Sequence, residues 1–340
     1  MKPNVPRWKV FVTRALPGDS ITRLLARAEV EVWPREMPPP RAEFMKRLRQ
    51  VDAVLSMLSD ALDAAAISAA PNLKVISNYA VGFDNVDLDA ATRVGIPVGH
   101  TPGVLTDATA DLAFALLLAA ARRVAEGDRE VRAGKWRTWG PQTLLGADVT
   151  GATLGIVGWG QIGQATARRA AGFGMKILYS NRRARRGTGP APSSIEARAV
   201  SLDRLLAESN FVSIHVPLTP NTRHMIGWAE LRRMKPGAIL INTARGPIVD
   251  QKALVHALRS GRLGGAGLDV TQPEPIRRGD PLLKLPNIVI TPHIGSASRA
   301  TREKMAAMAV DNILAVMDGR VPQWCANAGV KLRPRSPRPA

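Results

Sequence analysis

The sequence predicts an α/β protein with two doubly wound domains, each built on a parallel sheet. Short apolar segments alternate with helical stretches along almost the whole chain, as expected when helices cover both faces of such a sheet. The 340 residues exceed the size of one typical core, and 45% of them are hydrophobic, which is enough to bury two cores. A glycine-rich turn also joins one apolar segment to a helix near the middle of the chain.

The first hundred residues predict the strands of a small parallel sheet. Four apolar segments carry this prediction, at residues 9–13, 52–57, 73–77 and 96–99. After the first segment, a stripe at helical spacing predicts a helix that contains Ile21, Leu24, Leu25 and Ala28. A proline-rich turn at residues 34–40 then leads into a further helix.

The rest of the chain predicts a larger sheet of the same kind. Its strands are expected at residues 153–157, 176–180, 211–216, 238–242, 265–270 and 288–291, with helical stretches between them. The most apolar run, residues 113–121, is far shorter than the roughly 20 residues that span a bilayer, so we expect a buried helix. A final helix at 299–317 is predicted to return to the first domain, and the proline- and charge-rich tail at 331–340 is expected to be disordered.

The glycine-rich turn predicts a dinucleotide site of the Rossmann type. It reads Gly158, Trp159, Gly160, Gln161, Ile162 and Gly163, between a buried strand and a helix. Gly158 permits the tight turn, Gly160 lets the backbone approach a pyrophosphate, and Gly163 allows the helix to pack closely on the strand. The helix N-terminus then offers unpaired N–H groups to the phosphates. An ordinary turn is the alternative, which the second strand at residues 176–180 disfavours.

The end of that second strand predicts that NADP(H) is preferred over NAD(H). An NAD site usually places an acidic residue there for the ribose 2′-hydroxyl, and this chain has Ser180 and Asn181 instead. Arg182 and Arg183 follow, and guanidinium groups bind a 2′-phosphate that a carboxylate would repel. The alternative is that both arginines belong to a solvated basic loop in an arginine-rich chain.

Composition and charge restrict the classes of partner. The formal net charge is +19, but the arginines are scattered, only 4% of residues are aromatic, and no nucleic-acid-binding motif occurs. We therefore expect a basic surface that attracts anionic substrates, with no nucleic-acid and no membrane partner. The single cysteine, Cys325, excludes an internal disulfide, and with no signal peptide it indicates the cytoplasm. No spacing of metal ligands is present, so we expect no metal.

Three residues that follow predicted strands carry the chemistry. Arg245, Glu274 and His293 each come after a strand, and the carboxyl ends of parallel strands share one edge of the sheet. Together they suit reduction of an α-keto acid, because His293 can donate a proton to the developing alkoxide and Glu274 favours its imidazolium form. Arg245 would hold the substrate carboxylate and polarise the carbonyl. Each residue taken alone also has an ordinary interpretation. Arg245 could form a surface ion pair, Glu274 could be an acidic loop residue, and His293 could be a hydrogen-bonded loop histidine.

The chain resembles the D-isomer-specific 2-hydroxyacid dehydrogenases, and among them the glyoxylate/hydroxypyruvate reductases. The resemblance covers nearly the whole chain except the basic tail. It rests on VGFDNVD at 81–87, TPGVLTDATADLAFALLLAAAR at 101–122, VGWGQIG, HVPLTPNTRHMIG, NTARGPIVD, GLDV with Glu274-Pro275, and TPHIGSAS.

The resemblance implies a role for particular residues. Arg245, Glu274 and His293 are the catalytic set, and the N–H groups of Val81 and Gly82 receive the substrate carboxylate. The implied cofactor contacts beyond the glycine-rich turn and residues 181–183 are Thr106, Val216, Pro217, Thr222, Thr243, Ala244, Arg245, Asp269, His293 and Gly295. Asp269 and Thr243 would face the nicotinamide, with Thr106 near it. Trp139 would either reach into the partner's site in a homodimer or only anchor the dimer interface.

The family architecture is a Rossmann-type cofactor domain inserted in a flavodoxin-like substrate domain. It implies a substrate domain at residues 1–102 and 293–330 and a cofactor domain at 103–292, with hinges near 101–103 and 291–292 that close over the substrate. Two departures stand out: Asn181 replaces the usual acidic residue, and His100 replaces a frequent asparagine. We do not expect His100 to be catalytic, and we interpret His215 and His224 as structural and His256 as an ordinary helix residue.

The implied reaction is NADPH-dependent reduction of small 2-keto acids, glyoxylate to glycolate and hydroxypyruvate to D-glycerate. Two alternatives stay open on the sequence. The substrate could be phosphite, 2-ketogluconate or a bulkier keto acid, depending on a pocket whose expected wall residues are Tyr79, Val81, Leu105 and Trp139. The fold could also serve a dinucleotide-sensing interaction protein, although such a protein does not need hydride-transfer groups.

Overall fold

The computed structural model describes residues 7–181 and 196–333. The chain forms two compact units, Met1–Leu105 with Ala297–Ala340, and Thr106–Ser296. The divisions follow Leu105 and Ser296, a few residues beyond the boundaries that the sequence suggested, so His293 lies in the second unit. Arg182, Arg183 and most of the basic tail lie outside the described residues.

The described residues form twelve strands and eleven α-helices. The strands are β1 (Trp8–Val12), β2 (Ala28–Val32), β3 (Ala53–Ser56), β4 (Val75–Asn78), β5 (Val98–Gly99), β6 (Thr153–Val157), β7 (Lys176–Ser180), β8 (Ala197–Ala199), β9 (Phe211–Ile214), β10 (Ala238–Asn242), β11 (Leu263–Leu268) and β12 (Ile288–Ile290). The helices are α1 (Thr22–Leu25), α2 (Arg41–Leu48), α3 (Ala64–Ser68), α4 (Leu88–Arg93), α5 (Thr106–Ala121), α6 (Val124–Arg132), α7 (Gln161–Ala171), α8 (Leu202–Glu208), α9 (Trp228–Arg233), α10 (Gln251–Arg259) and α11 (Arg299–Met317).

The first unit contains a five-stranded parallel sheet in the order β2-β1-β3-β4-β5. This is the flavodoxin-like order, which the sequence predicted. The central strands β3 and β4 are buried at every residue, as expected for a sheet covered on both faces. Helix α11 returns to this unit and packs on β3, β4 and β5, as predicted.

The second unit contains a seven-stranded parallel sheet in the order β12-β11-β10-β9-β6-β7-β8. Strand order reverses direction between β6 and β9, which is the switch point where doubly wound sheets bind their ligands. One apolar cluster contains Leu240 and Ile214, and another contains Ile156 and Phe114. Helix α5 includes the predicted buried run at 113–121 and begins earlier, at Thr106.

Two edge strands were missed from the sequence. Strand β2 begins at Ala28, which we had wrongly assigned to a helical stripe, and α1 ends at Leu25. In β2 the buried or half-buried Ala28, Val30 and Val32 alternate with exposed glutamates. The charged residues of this edge strand made the alternation of apolar and polar residues difficult to recognise as a strand. The short β8 was missed as well. The strand predicted at 265–270 lies two residues earlier, as Leu263–Leu268.

Candidate active site

The glycine-rich turn has the geometry that its three glycines predicted. Gly158 has a φ of +102°, and a Cβ there would lie 2.5 Å from the carbonyl oxygen of His215. At Gly163 a Cβ would lie 2.2 Å from the Gly158 carbonyl oxygen, so only glycine allows this close packing of helix and strand. A Cβ at Gly160 would meet nothing within 4 Å, which leaves open space beside the turn. The turn therefore fits a dinucleotide pyrophosphate in that space.

The N-terminus of α7 completes this phosphate site. Its N-cap is Gly160, and no side chain caps the helix there. Unpaired N–H groups at the start of an eleven-residue helix favour an anion. The Thr106 hydroxyl donates to the side-chain oxygen of Gln161 over 3.4 Å, so the predicted Thr106 lies next to the turn. Trp159 is buried and stacks on Tyr179, with ring centroids 4.1 Å apart.

The segment that contains the expected cofactor contacts Val216, Pro217 and Thr222 is a closed turn. The Thr222 hydroxyl donates to the Pro217 carbonyl over 2.6 Å and accepts from the Thr219 N–H over 2.8 Å. Val216 approaches the glycine-rich turn, since its Cγ1 would lie 2.9 Å from a Cβ at Gly158. Asn181 directly follows β7 and is the last described residue before the gap.

His215 has a structural environment, as the sequence predicted. Its Nε2 lies 2.8 Å from the Ser213 hydroxyl, and its backbone N–H donates to the Val157 carbonyl. Desolvation lowers the pKa of His215 to about 4, so the ring is neutral at physiological pH. His215 therefore links two strands at the switch point and carries no proton to a ligand.

Arg245 lies in a loop that two features hold in place directly after β10. The Asn242 side chain donates to the Arg245 carbonyl over 2.9 Å and accepts from the Ala244 N–H over 3.0 Å. At Gly246, a Cβ would lie 1.9 Å from the Thr271 carbonyl oxygen, so this loop packs against the one that follows β11. Arg245 Nη1 donates to the Ala244 carbonyl over 2.8 Å. The backbone that carries the Arg245 side chain is therefore held in place.

His293 and Glu274 are hydrogen bonded, as the sequence predicted for a histidine beside a carboxylate. His293 Nδ1 bonds to Glu274 Oε1, and the two side chains are 27% and 40% exposed. Because an ionised carboxylate only accepts, Nδ1 carries the hydrogen and Nε2 is left for a substrate. His293 has a φ of +55°, in the left-handed region that costs a non-glycine residue free energy.

Asp269 holds the loop that carries His293. Its Oδ1 accepts from the Thr291 hydroxyl over 2.6 Å and from the Ile294 N–H over 2.8 Å, and its Oδ2 accepts from the Gly295 N–H over 2.7 Å. The Asp269 carbonyl also accepts from the His293 N–H over 2.9 Å. We had expected Asp269 only to face the nicotinamide, and no local pattern in the sequence indicates this positioning role.

Thr243 also lies at this edge and has an unpaired polar atom. Its Oγ1 is buried, and no hydrogen-bond partner for it occurs among the described residues. A buried hydroxyl without a partner is costly unless a ligand supplies one. Together with the open turn and the uncapped helix, this atom indicates that the site fits a nicotinamide dinucleotide.

Two further residues support the loop of Glu274. His224 Nε2 lies 3.0 Å from the side-chain oxygen of Gln272, and the Gln272 N–H donates to the side-chain oxygen of Gln251 over 2.9 Å. His224 was predicted to be structural, and these contacts place it beside the loop of Glu274. Neither glutamine was predicted, because only the folded chain shows that they face one another.

The residues expected to bind the substrate carboxylate belong to the first unit. Val81 and Gly82 lie in the loop after β4, and both are at most half-exposed. The nearby Tyr79, an expected wall residue, is 8% exposed and donates to the Arg302 carbonyl over 2.6 Å. Burial raises the pKa of Tyr79 to about 12, so its hydroxyl stays protonated. Tyr79 therefore contributes packing and a structural hydrogen bond.

Trp139 is the most exposed large apolar side chain among the described residues, at 79%. It lies in the segment 124–145, which also exposes Val124, Val131, Trp136 and Leu145. Several large apolar side chains exposed in one segment are typical of an interaction surface.

Neither a metal cluster nor a membrane-spanning helix occurs in the described part of the chain. No group of three or more His, Cys, Asp or Glu residues in residues 7–181 and 196–333 could hold a metal ion. Within the same residues, no helix combines the length and apolar character that crossing a bilayer requires.

The switch-point turn and the histidine–carboxylate pair define the class of protein. A glycine-rich turn that fits a dinucleotide and a histidine bonded to a carboxylate on the same sheet edge are features of a nicotinamide-dependent dehydrogenase. The model of the D-isomer specific 2-hydroxyacid dehydrogenase NAD binding domain matches residues 114–295.

Full-length comparisons give the same result. The chain is 51% identical over 336 residues to a glyoxylate reductase of Korarchaeum cryptofilum, covering 98% of this chain and 99% of that one. The crystal structure of a protein from Thermus thermophilus shares 52% identity with a TM-score of 0.87, covering 94% and 99% of the two chains. An NADPH-dependent glyoxylate/hydroxypyruvate reductase from Sinorhizobium meliloti, crystallised with NADP and malonate, has 30% identity and a TM-score of 0.83 over 98% and 100%.

The chain therefore belongs to the D-isomer specific 2-hydroxyacid dehydrogenase family, in its glyoxylate reductase branch. It is an NAD(P)-dependent dehydrogenase, and the predicted enzyme class is confirmed.

Proposed function

We propose that this protein reduces glyoxylate to glycolate, and hydroxypyruvate to D-glycerate, with a preference for NADPH. The observation that carries the proposal is the hydrogen bond between His293 and Glu274 on the sheet edge that also bears the glycine-rich turn. The relatives support the substrate: the Korarchaeum cryptofilum protein and one from Thermococcus litoralis, 49% identical over 334 residues, are both named glyoxylate reductases.

His293 is the proposed proton donor. When bound, the cofactor supplies a hydride to the carbonyl carbon of the keto acid, which leaves negative charge on its oxygen. His293 Nε2 would donate a proton to that oxygen, while Glu274 fixes the ring through Nδ1. The four hydrogen bonds of Asp269 keep the His293 backbone in its left-handed conformation, so the ring is positioned before the substrate arrives.

Arg245 is the proposed electrophilic residue. Its guanidinium would bind the substrate carboxylate and polarise the carbonyl group through paired N–H donors. The Val81 and Gly82 N–H groups would take the same carboxylate from the first unit.

His293→Ala tests the proton donor. We expect kcat to fall by roughly 10²–10⁴, the usual contribution of general acid catalysis, with cofactor binding retained. Glu274→Gln should lower kcat less, since the amide oxygen still accepts from Nδ1 but carries no charge. His256→Ala, on the exposed side of α10, is the matched control and should keep normal turnover. Near-normal kcat in His293→Ala would remove His293 from the mechanism.

The preference for NADPH rests on the end of β7. Asn181 leaves this position without the carboxylate that would repel a 2′-phosphate, and Arg182 and Arg183 follow. The Sinorhizobium meliloti neighbour is described as NADPH-dependent. Arg182→Ala should raise KM for NADPH much more than for NADH, whereas Arg259→Ala, at the end of α10, should change neither. Equal kcat/KM for the two cofactors in the unmodified enzyme would refute the preference.

We also propose a homodimer that uses the exposed segment 124–145. Burial of Trp136, Trp139 and Leu145 against a second copy would remove three large apolar side chains from water. Trp139→Ala should weaken the dimer in sedimentation equilibrium, while Trp228→Ala, a partly exposed tryptophan on α9, should not. A monomeric unmodified protein would contradict the proposal. The single Cys325 fits a reducing compartment, and we place the enzyme in the cytoplasm.

A further inference from the structure

Three consecutive carbonyl groups after β4 are hydrogen bonded to the body of the first unit. The Ala80 carbonyl accepts from the Thr101 N–H over 2.8 Å, the Val81 carbonyl bonds to His100 Nδ1 over 3.0 Å, and the Gly82 carbonyl accepts from the Asn78 side chain over 2.8 Å. The three donors are a backbone N–H, an imidazole ring and a side-chain amide. The orientation of these three peptide units is therefore fixed.

This arrangement determines where the amide hydrogens point. In a trans peptide the C=O and N–H bonds of one unit point in opposite directions. The N–H groups of Val81, Gly82 and Phe83 belong to the peptide units whose carbonyls are held, so all three face away from the groups that hold them. None of these N–H groups has a hydrogen-bond partner among the described residues. Three successive N–H groups without a protein partner are donors that an anion can accept from.

His100 is the ring that orients the middle peptide unit. A carbonyl oxygen only accepts, so Nδ1 carries the hydrogen that binds Val81. The ring also contacts Phe83 edge to face, with centroids 5.4 Å apart. By this bond the imidazole controls the direction of the Gly82 N–H on the other side of the same peptide.

The backbone of His100 is itself held on both sides. Its N–H donates to the Trp324 carbonyl over 3.0 Å, and its carbonyl accepts from the Asn312 side chain over 3.2 Å. Asn312 is buried on α11, and a Cβ at Gly99 would lie 2.5 Å from it. The backbone that carries the imidazole is therefore held independently of the side chain. A substitution at position 100 should alter the contact with Val81 and have little effect on the surrounding fold.

We propose that His100 is a positioning residue for substrate binding, which aims the Gly82 N–H at the carboxylate of the keto acid. The inference rests on the proposed function, in which this loop receives that carboxylate. His100 contacts the loop and not the reacting atoms, so it should govern affinity for the acid more than the chemical step. The group that matters is one N–H donor at the position of Nδ1.

The test compares His100→Ala with His100→Asn. Alanine removes the donor, while the asparagine amide nitrogen stands where Nδ1 stood and can still donate to the Val81 carbonyl. We expect His100→Ala to raise KM for glyoxylate about tenfold, the equivalent of one hydrogen bond, with kcat and KM for the cofactor within about threefold of the unmodified enzyme. His100→Asn should restore KM to within about threefold. His256→Ala is the control for loss of a histidine, and thermal midpoints check that each variant is folded.

Binding of oxamate, a carboxylate that the enzyme cannot reduce, separates this inference from the proposed function. Calorimetry in the presence of reduced cofactor should show about tenfold weaker oxamate binding in His100→Ala and recovery in His100→Asn. If the unmodified enzyme fails to reduce glyoxylate but shows this pattern, the function is wrong and the role of His100 stands. Unchanged KM and oxamate affinity in His100→Ala would overturn the inference. Equal losses of kcat, cofactor affinity and thermal midpoint in both variants would also overturn it, because they indicate a structural role only.

Discussion

Asp269→Asn should uncouple the His293 loop from the sheet without removing any group that reacts. The carboxylate accepts three hydrogen bonds from the loop, from Thr291, Ile294 and Gly295. The amide that Asp269→Asn introduces can be oriented in two ways, and the less costly one places its nitrogen at the position of Oδ2, which accepts only one hydrogen bond. The amide N–H₂ group and the Gly295 N–H then face each other, and both are donors. One hydrogen bond to a charged acceptor is lost, and one buried N–H is left without a partner.

The expected cost is about 2–3 kcal/mol, since hydrogen bonds to charged groups contribute about 1.5–3 kcal/mol. The left-handed conformation of His293 itself costs about 1–2 kcal/mol, and the Asp269 bonds offset that cost. When one of these bonds is lost, the remaining stabilisation from Asp269 is similar to the conformational cost at His293. The loop should then relax from its native geometry. A displacement of about 1 Å at the proton donor can lower turnover about 100-fold.

Urea unfolding and steady-state kinetics measure the two effects together. We expect a lower unfolding midpoint and a kcat reduced by roughly 10- to 100-fold, with KM for the cofactor changed less. Asp250→Asn is the matched control, because both N–H groups that it caps at the start of α10 bond to the same oxygen, and asparagine is as good a cap. Unchanged kcat and midpoint in Asp269→Asn would refute the argument that Asp269 positions His293.

Two further predictions concern pH and the glycine-rich turn. The pKa of His215 lies near 4 in the folded protein, below its ordinary 6.5, so its contribution to stability is complete above pH 6.5 and is lost as the pH falls to 4, by up to about 3 kcal/mol. His215→Gln, whose amide can still bond to Ser213, should flatten this part of the stability profile, and an equally steep profile would contradict the assignment. Gly163→Ala should lower the thermal midpoint, because its Cβ would lie 2.2 Å from a backbone carbonyl. Gly160→Ala should leave the midpoint nearly unchanged and weaken cofactor binding more than about tenfold in a fluorescence titration, and the reverse pattern would exclude our account of the turn.

Much of the fold follows from local patterns in the sequence. The turn at 158–163 could be predicted because Gly158 and Gly163 lie where a Cβ would clash with nearby backbone. The sheet strands could be predicted because buried parallel strands are continuous apolar runs. Strand β2 was not predicted because it lies at a sheet edge, where Glu29 and Glu31 face solvent and make the segment less apolar.

The position of Arg245, Glu274 and His293 after their strands could be predicted, but the contacts that support these residues could not. Arg245, Glu274 and His293 each follow a strand, so a parallel sheet brings their loops to one edge. The roles of Asp269 and His100 depend on which atoms face one another after folding. Asp269 bonds to residues 22–26 positions away, and His100 to one 19 positions away, and no spacing rule connects such pairs.

NADPH oxidation with glyoxylate, followed at 340 nm for the unmodified enzyme and for His293→Ala, tests the central claim most directly. The same assay with NADH and with hydroxypyruvate belongs in the experiment. We predict rapid oxidation of NADPH by the unmodified enzyme, slower oxidation of NADH, and a loss of roughly 10²–10⁴ in kcat for His293→Ala while NADPH still binds. No turnover of either keto acid by a folded enzyme that binds the cofactor, or near-normal turnover by His293→Ala, would contradict it.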